Sequence, residues 1–233
     1  MNKYFICLAL LTIGLAGCKK NEPIDLETLS GTFLADKTIQ VYKAELYTKN
    51  GKSVVKNEVA NFIKRRALTE SFSEKDKQDM GDQFLFKITL DGQGSFSATI
   101  ADEPYAAGKM EKQSSSIALL IDDKEPDPLI IGGEDCLTKV VSRFTHLIEC
   151  RWIPSTTGYL SGCISKTFLP IEVKNANSLA IPLYSLYYSK NKMGVSSYCM
   201  ALDRPNFINE DFYKNLQEGD TVLIQRKEHF LKK

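Results

Sequence analysis

"FLFKITLDGQGSFSATI" (residues 84–100) is the stretch that decides the fold. Apolar residues occupy every second position on both sides of the glycine-rich turn DGQG, namely Phe84, Phe86, Ile88 and Leu90, then Phe96, Ala98 and Ile100. A period of two residues is the signature of a strand with one buried face. The stretch therefore predicts an antiparallel β-hairpin.

Similar strand signals continue along most of the chain. Asn50-Gly51 lies between two β-rich runs and predicts a two-residue hairpin turn. "VSSYCMAL" and "DTVLIQRKE" predict late strands, the second followed by the tail "HFLKK". Pro182 predicts an edge or bulge, because proline cannot donate to a ladder. We expect a mainly β fold of antiparallel meander or barrel-like sheets.

Two segments depart from the strand pattern. Val59, Phe62 and Ile63 fall at helical spacing, which predicts a helix from about Glu58 to about Thr69. A second, short helix is predicted in "NEDFYKNLQEG", with Asn209 as its N-cap and Gly219 just beyond its end.

Composition excludes several classes of protein. Hydrophobic residues make up 43% of the 233 residues and charged residues 25%, which is typical of a folded globular chain. The formal net charge is +1, so the chain has no basic excess that would attract nucleic acid. We predict no nucleic-acid partner.

The N-terminus carries a targeting signal. Lys3 precedes an apolar run over residues 4–17, which is too short to span a bilayer, and the run ends at Cys18. Leu15-Ala16-Gly17-Cys18 resembles the lipobox of bacterial lipoproteins. The alternative is an ordinary signal peptide with a coincidental cysteine.

The resemblance to lipoproteins implies an address. Residues 1–17 are then a signal peptide, Cys18 carries acyl chains that hold the protein on a membrane, and residues 18–29 form a tether. Lys19 follows the cysteine, where an Asp would imply inner-membrane retention, so the resemblance favours the outer membrane and a place in the cell envelope.

Four cysteines remain after Cys7 and Cys18 are set aside: Cys136, Cys150, Cys163 and Cys199. An even number in an oxidising compartment predicts two disulfides, with three possible connectivities. A zinc site is the alternative, but no C-x-x-C pair is present, so we predict no metal site.

The domain organisation follows from the same patterns. "LSGTF" followed by successive hairpins resembles the start of lipocalin-like envelope domains, although Phe33 stands where a lipocalin typically has tryptophan. The resemblance implies a lipocalin-like barrel unit with one helix over residues 30–133. Residues 134–233 are predicted to form a second β-rich unit that contains the four cysteines.

The sequence offers few groups for catalysis. His146 and His229 are the two histidines, and neither a G-x-S-x-G elbow nor a Walker loop is present. We predict no catalytic residues and no cofactor, and we lean against an enzyme. A hydrolase with a carboxylate pair stays open, because 29 acidic residues supply many pairs.

Aromatic residues in the C-terminal half are the candidates for a ligand pocket or an interface: Tyr184, Tyr187, Tyr188, Tyr198 and Trp152. Core packing is the alternative. Tyr187 and Tyr188 point to opposite faces if they lie on a strand, which predicts that at least one is exposed.

Three hypotheses for function follow. The first is a binding protein for a small apolar or sugar-like ligand or a protein partner, which predicts an enclosed, aromatic-lined pocket for the small ligand. The second is a structural or assembly accessory, which predicts a filled core and an exposed apolar patch. The third is the carboxylate-pair hydrolase, which predicts two carboxyl groups in one cleft.

Overall fold

A computed structural model describes residues 29–55, 57–72, 75–81, 85–113, 116–121, 151–153, 162–164, 167–192, 195–205 and 211–233. For residues 113, 121, 151–153, 162–164, 167, 168, 191, 192, 195–197, 201 and 203–205 it describes the backbone only. Described strands dominate: β1 Ser30–Val41, β2 Glu45–Thr48, β3 Gly51–Lys52, β4 Lys77–Asp79, β5 Phe86–Asp91, β6 Ser95–Ile100, β7 Glu103–Gln113, β8 Ser116–Ile121, β9 Arg151–Ile153, β10 Gly162–Ile164, β11 Thr167–Asn175, β12 Ser178–Lys192, β13 Val195–Pro205 and β14 Thr221–Lys232. Helix α1 spans Glu58–Arg65, and a short 3-10 helix spans Phe212–Asn215.

Eight antiparallel strands form a closed barrel in the order β1-β5-β6-β7-β8-β11-β12-β14. The sheet closes because β14 pairs with β1 along one edge and with β12 along the other. Neighbours in the barrel follow chain order, which is the meander that the sequence predicts. The predicted mainly β fold is confirmed.

The hairpin predicted around the turn DGQG is present as β5 and β6. Leu90 pairs with Phe96 across the turn, and Asp91 accepts hydrogen bonds from the backbone N–H groups of Gln93 at 2.7 Å and Ser95 at 2.9 Å. These two bonds, that from Ser95 first, lower the pKa of the Asp91 carboxyl. Glycines at positions 92 and 94 supply the positive φ angles of the turn.

Apolar side chains fill the barrel. The largest of them are completely buried and come from strands all around the barrel, namely Phe33, Ile39, Ile88, Ile117, Leu119, Ile171, Leu179 and Leu231. An eight-stranded barrel is just wide enough for its interior to be filled in this way. The described part of the barrel is therefore a packed core.

Strands β12 and β14 continue beyond one end of the barrel. There they pair with β13 on one side and with β2 and β3 on the other, which gives an extension sheet in the order β13-β12-β14-β2-β3. Helix α1 packs on one face against Leu46, Tyr187 and Leu223. The 3-10 helix packs Phe212 on the other face, in a cluster with Val222.

Strands from both predicted units build this single barrel. β8 of the range 30–133 pairs with β11 of the range 134–233, and β1 pairs with β14. The described strands are thus not arranged as two separate β units split near residue 133. The stretch "HFLKK" is not a tail, because His229–Lys232 belong to the strand that closes the barrel.

Local predictions need three corrections. Helix α1 begins at Glu58 as predicted but ends at Arg65, and the second helix is a 3-10 turn that begins at Phe212. The hairpin predicted at Asn50-Gly51 is present as β2 and β3, but its two-residue loop is residues 49 and 50, because Thr48 pairs with Gly51. Of residues 49–51, only Gly51 has a positive φ, 98°. That arrangement suits a turn ending in a glycine bulge.

Pro182 lies inside β12 and is buried. The neighbour of β12 on one edge changes at this point from β11, which pairs up to Ala180, to β13, which pairs from Leu183. A residue without an N–H group is tolerated where the ladder is interrupted.

Several predictions fall outside the described residues. They concern the signal peptide, Cys18, most of the tether, Cys136, His146, Cys150 and Asn209. None of the described helices is both long enough and apolar enough to cross a membrane.

The packed barrel makes a testable prediction about stability. Replacement of Phe33, whose side chain is fully buried, with alanine should lower the free energy of unfolding by about 3–5 kcal/mol, because a large cavity is left in the core. Urea unfolding followed by circular dichroism measures the change. Leu34→Ala is the matched control, since this neighbour is 52% exposed and should cost well under about 1 kcal/mol.

Candidate functional site

The four candidate tyrosines lie together in the extension sheet. Tyr187 and Tyr188 do point to opposite faces, but both are buried, at 4% and 8% exposure, so the prediction that at least one is exposed is wrong. Helix α1 covers the first ring and the 3-10 helix region covers the second. Tyr184 is half-buried beside the second cluster, and burial raises the pKa of its hydroxyl.

Tyr188 is held by a buried hydrogen bond. Its hydroxyl donates to the carboxylate of Asp220 at 3.0 Å, and the same carboxylate oxygen accepts from the backbone N–H of Gln217 at 2.9 Å. These bonds fix the turn that leads into β14. Tyr188 therefore has a structural role.

Tyr198 is the exposed member of the group. Its ring is 70% exposed and stacks on Tyr187 with centroids 5.6 Å apart. Tyr187 in turn meets Phe62 of α1 edge to face at 5.9 Å. The exposed ring of Tyr198 is thus held by the two rings beneath it, and this stacking restricts its side-chain rotamers in the folded protein.

Two more apolar side chains lie exposed on the same strand. Met200 is 38% exposed and Leu202 is 40% exposed. Strand β13 ends the described sheet, so this row lies along a described sheet edge. We call Tyr198, Met200 and Leu202 the apolar row.

The remaining candidates are only partly described. Trp152 pairs with Cys163 in the two-stranded sheet of β9 and β10, where the backbone alone is described. Cys199 is half-buried beside the cluster of the 3-10 helix and has a partner outside the described side chains. No disulfide joins two described side chains, so the predicted pairing stays a prediction.

Described residues line two grooves that open to the surface. One, of about 370 Å³, lies at the barrel rim where β1 is irregular between Ala35 and Ile39. Lys87 and Asp102 form an ion pair in its wall, beside Phe86. The Thr99 hydroxyl in the same wall is buried without a hydrogen-bond partner.

Charged side chains gather on the outside of the barrel near the extension. Glu172 and Lys174 of β11 reach across β12 to Arg226 and Glu228 of β14, above the small buried residue Ala180. Arg226 contacts both carboxylates, and Lys174 contacts Glu172 at 2.7 Å and Glu228 at 3.0 Å. We call these four residues the ion network.

The two carboxylates and the two cations of the ion network balance one another's charge. Burial favours the neutral form of Glu228, but hydrogen bonds from Tyr42 and Lys174 and the charge of Arg226 outweigh it and lower the pKa of Glu228. The same neighbourhood, burial first and the bond to Glu228 second, raises the pKa of Tyr42 to about 12. A carboxylate-pair hydrolase needs an acid with a raised pKa, and Glu228 has the opposite shift.

Polar side chains also form a belt on the inner face of β12 and β14. Ser185, Gln225, Lys227 and His229 are all at most 4% exposed and separate the barrel core from the cluster under α1. Lys227 donates to Gln78 at 3.1 Å, and Gln225 donates to the carbonyl oxygen of Tyr42 at 3.1 Å. We call these residues the polar belt.

His229 belongs to this belt and is held by contacts within the barrel. Its Nε2–H donates to the carbonyl oxygen of Asp36 at 2.7 Å, and its ring meets Phe86 edge to face at 5.5 Å. Burial lowers the pKa of His229, although the bond to Asp36 opposes the shift. The shift favours the neutral ring, and its hydrogen bond joins β14 to β1.

Sequence reasoning placed the tyrosines in one region, including Tyr198 of the apolar row, but missed the ion network and the other two members of the row, Met200 and Leu202. The ion pairs join residues of β11 and β14 across β12, and the sequence alone does not show that these strands lie on either side of β12. In the part of the chain that is described, no three His, Cys, Asp or Glu side chains converge as a metal site would require.

Comparisons with known proteins add no relative. No protein-family model matches the chain, and neither the curated proteins nor the solved structures include one that is significantly similar to it.

The buried histidine predicts a pH dependence of stability. The folded state lowers the His229 pKa below its unfolded value of about 6.5, so the contribution of the neutral ring is present above that pH and is lost as pH falls. His229→Gln keeps an N–H donor but cannot titrate. We expect the variant to lose less stability than the wild type between about pH 7 and 5, as measured by thermal unfolding, and equal losses would contradict the assignment.

Proposed function

We propose that this protein is a lipid-anchored accessory of the cell envelope that docks a protein partner through the apolar row. The acyl chains on Cys18 hold it on a membrane, in accord with the lipobox-like Leu15-Ala16-Gly17-Cys18. The barrel is the rigid body that carries the docking surface. The β-barrel fold is compatible with a ligand-binding role as well, so the choice depends on the site.

The filled barrel supports the accessory role over ligand storage. A barrel that holds a small apolar ligand needs interior volume, whereas here fully buried side chains such as Phe33, Ile88 and Ile171 occupy it. The 370 Å³ groove lies at the rim and not inside the barrel.

The observation that carries the proposal is the stack of Tyr198 on buried Tyr187. Contact between apolar side chains and water is unfavourable, and burial in an interface removes it. A cluster of exposed apolar side chains marks an interaction site more often than scattered ones do. Tyrosine and methionine are enriched at the cores of protein interfaces. A ring already held in place by stacking also loses little side-chain entropy when a partner binds.

A photo-crosslinking amino acid at position 198 tests the docking surface in cells that make the protein. We expect one discrete protein adduct, and we expect Met200→Asp to abolish it by placing a charge in the row. The same crosslinker at position 105 is the control, because Tyr105 is 62% exposed but lies on the barrel strand β7. Adducts of equal yield at both positions, or none at 198, would contradict the proposal.

The anchor is tested separately. Labelled palmitate should enter the wild-type protein and not the Cys18→Ser variant, and mass spectrometry of the mature protein should place the acyl mass on a chain that begins at residue 18. Two or more acyl chains make a stable anchor, so the variant should also leave the membrane fraction. A mature chain that still carries residues 1–17 would contradict this part.

A further inference from the structure

Two consecutive valines protrude from the loop between β3 and α1. Val54 is 94% exposed and Val55 is 65% exposed. The loop is held from below, since Ser53 N–H donates to the carbonyl oxygen of Leu46 at 2.8 Å and the Ser53 hydroxyl bonds Glu58. The two exposed valines therefore follow directly on a residue that is held by hydrogen bonds.

The stretch of chain that contains these valines is rich in basic residues. Residues 45–70 contain six basic residues and three acidic ones, although the whole chain is nearly neutral. Glu45 pairs with Lys52, and Glu58 bonds Ser53, so two of the three acids are engaged. Lys64 and Arg65 at the end of α1 line a cleft of about 350 Å³ whose other wall is Val55, with Glu58 and Asn61 between them.

We propose that Val54, Val55, Lys64 and Arg65, here called the valine corner, bind the surface of an anionic bilayer. The valines enter the boundary of headgroups and acyl chains, and the cleft beside them takes a lipid phosphate. Exposed apolar side chains next to basic ones are the composition of interfacial membrane contacts. The inference rests on the proposed function in one respect, since the acyl anchor is what brings a bilayer within reach.

Area favours a bilayer over an acidic protein as the occupant. A stable protein interface buries about 800 Å² on each partner, with a central apolar cluster, whereas the valine corner offers two small side chains and one cleft. A bilayer needs no shape complementarity. Each basic residue near an anionic surface adds its attraction independently of the others.

The reach of the tether fits this contact. β1 begins at Ser30 at the barrel end away from the extension, and its 12 residues span roughly 40 Å. Residues 18–29 can span about as much when extended. Anchoring at one end and contact near the other would lay the barrel along the membrane.

Tryptophan fluorescence tests the proposal on the acylated full-length protein. Val54→Trp adds a probe to a chain with a single native tryptophan. In vesicles of equimolar phosphatidylcholine and phosphatidylglycerol its emission should shift to the blue relative to vesicles of phosphatidylcholine alone. Tyr105→Trp, on the barrel, should show no difference between the two vesicles. No shift at position 54, or equal shifts at both positions, would overturn the inference.

Co-sedimentation separates this inference from the anchor. The unacylated Cys18→Ser chain should bind the anionic vesicles in a salt-sensitive way, and Lys64→Ala with Arg65→Ala should weaken binding about thirtyfold. Lys109→Ala with Lys112→Ala, two exposed bases of β7, should change it little. If palmitate labelling fails, the proposed function falls while this measurement still decides the valine corner. Binding to polyglutamate without binding to the vesicles would overturn the inference in favour of an acidic protein.

Discussion

The double pairing of β14 is the constraint on which the structure depends. This C-terminal strand completes the barrel by bonding β1 on one side and β12 on the other, so the first and last described strands are neighbours. The contact joins residues nearly 200 positions apart, as in the pair of Leu34 with Lys232. Closure of such a loop is entropically costly, and it is repaid by the packed interior that closure creates.

The same two long strands make the molecule more than a barrel. Because β12 and β14 stay paired from Ser178–Lys232 to Ser189–Thr221, the extension sheet is a continuation of the barrel wall. The polar belt marks the boundary, since Lys227 and His229 interrupt the apolar side chains at that level. The apolar row is therefore attached to the barrel through continuous hydrogen-bonded strands, and its position is fixed relative to the core.

Sequence periodicity predicted those parts of the fold in which one face meets water. The hairpin of β5 and β6 alternates cleanly because Ile88 and Leu90 face the core while Lys87 and Thr89 face outward. The predicted end of β14 was too early because both faces of the strand are covered: Lys227 and His229 lie in the belt, and Glu228 belongs to the ion network. A strand with buried polar residues on both faces lacks the alternation of apolar and polar residues, so its sequence resembles that of a polar tail. The prediction that Tyr187 or Tyr188 is exposed was wrong for a similar reason, since the two rings are covered by helical segments that are remote in sequence.

The charged groups of the ion network are engaged with one another. In the ion network each carboxylate already contacts two cations, so the groups that could do acid–base work stabilise one another across three strands. The side chains of the belt are likewise engaged, as the bond from His229 to Asp36 illustrates. The exposed apolar side chains of the described chain include the row of Tyr198, Met200 and Leu202 and the two valines near the basic end of α1. Both features lie on the extension sheet or its loops, whereas the barrel contributes the rigidity that keeps them in place.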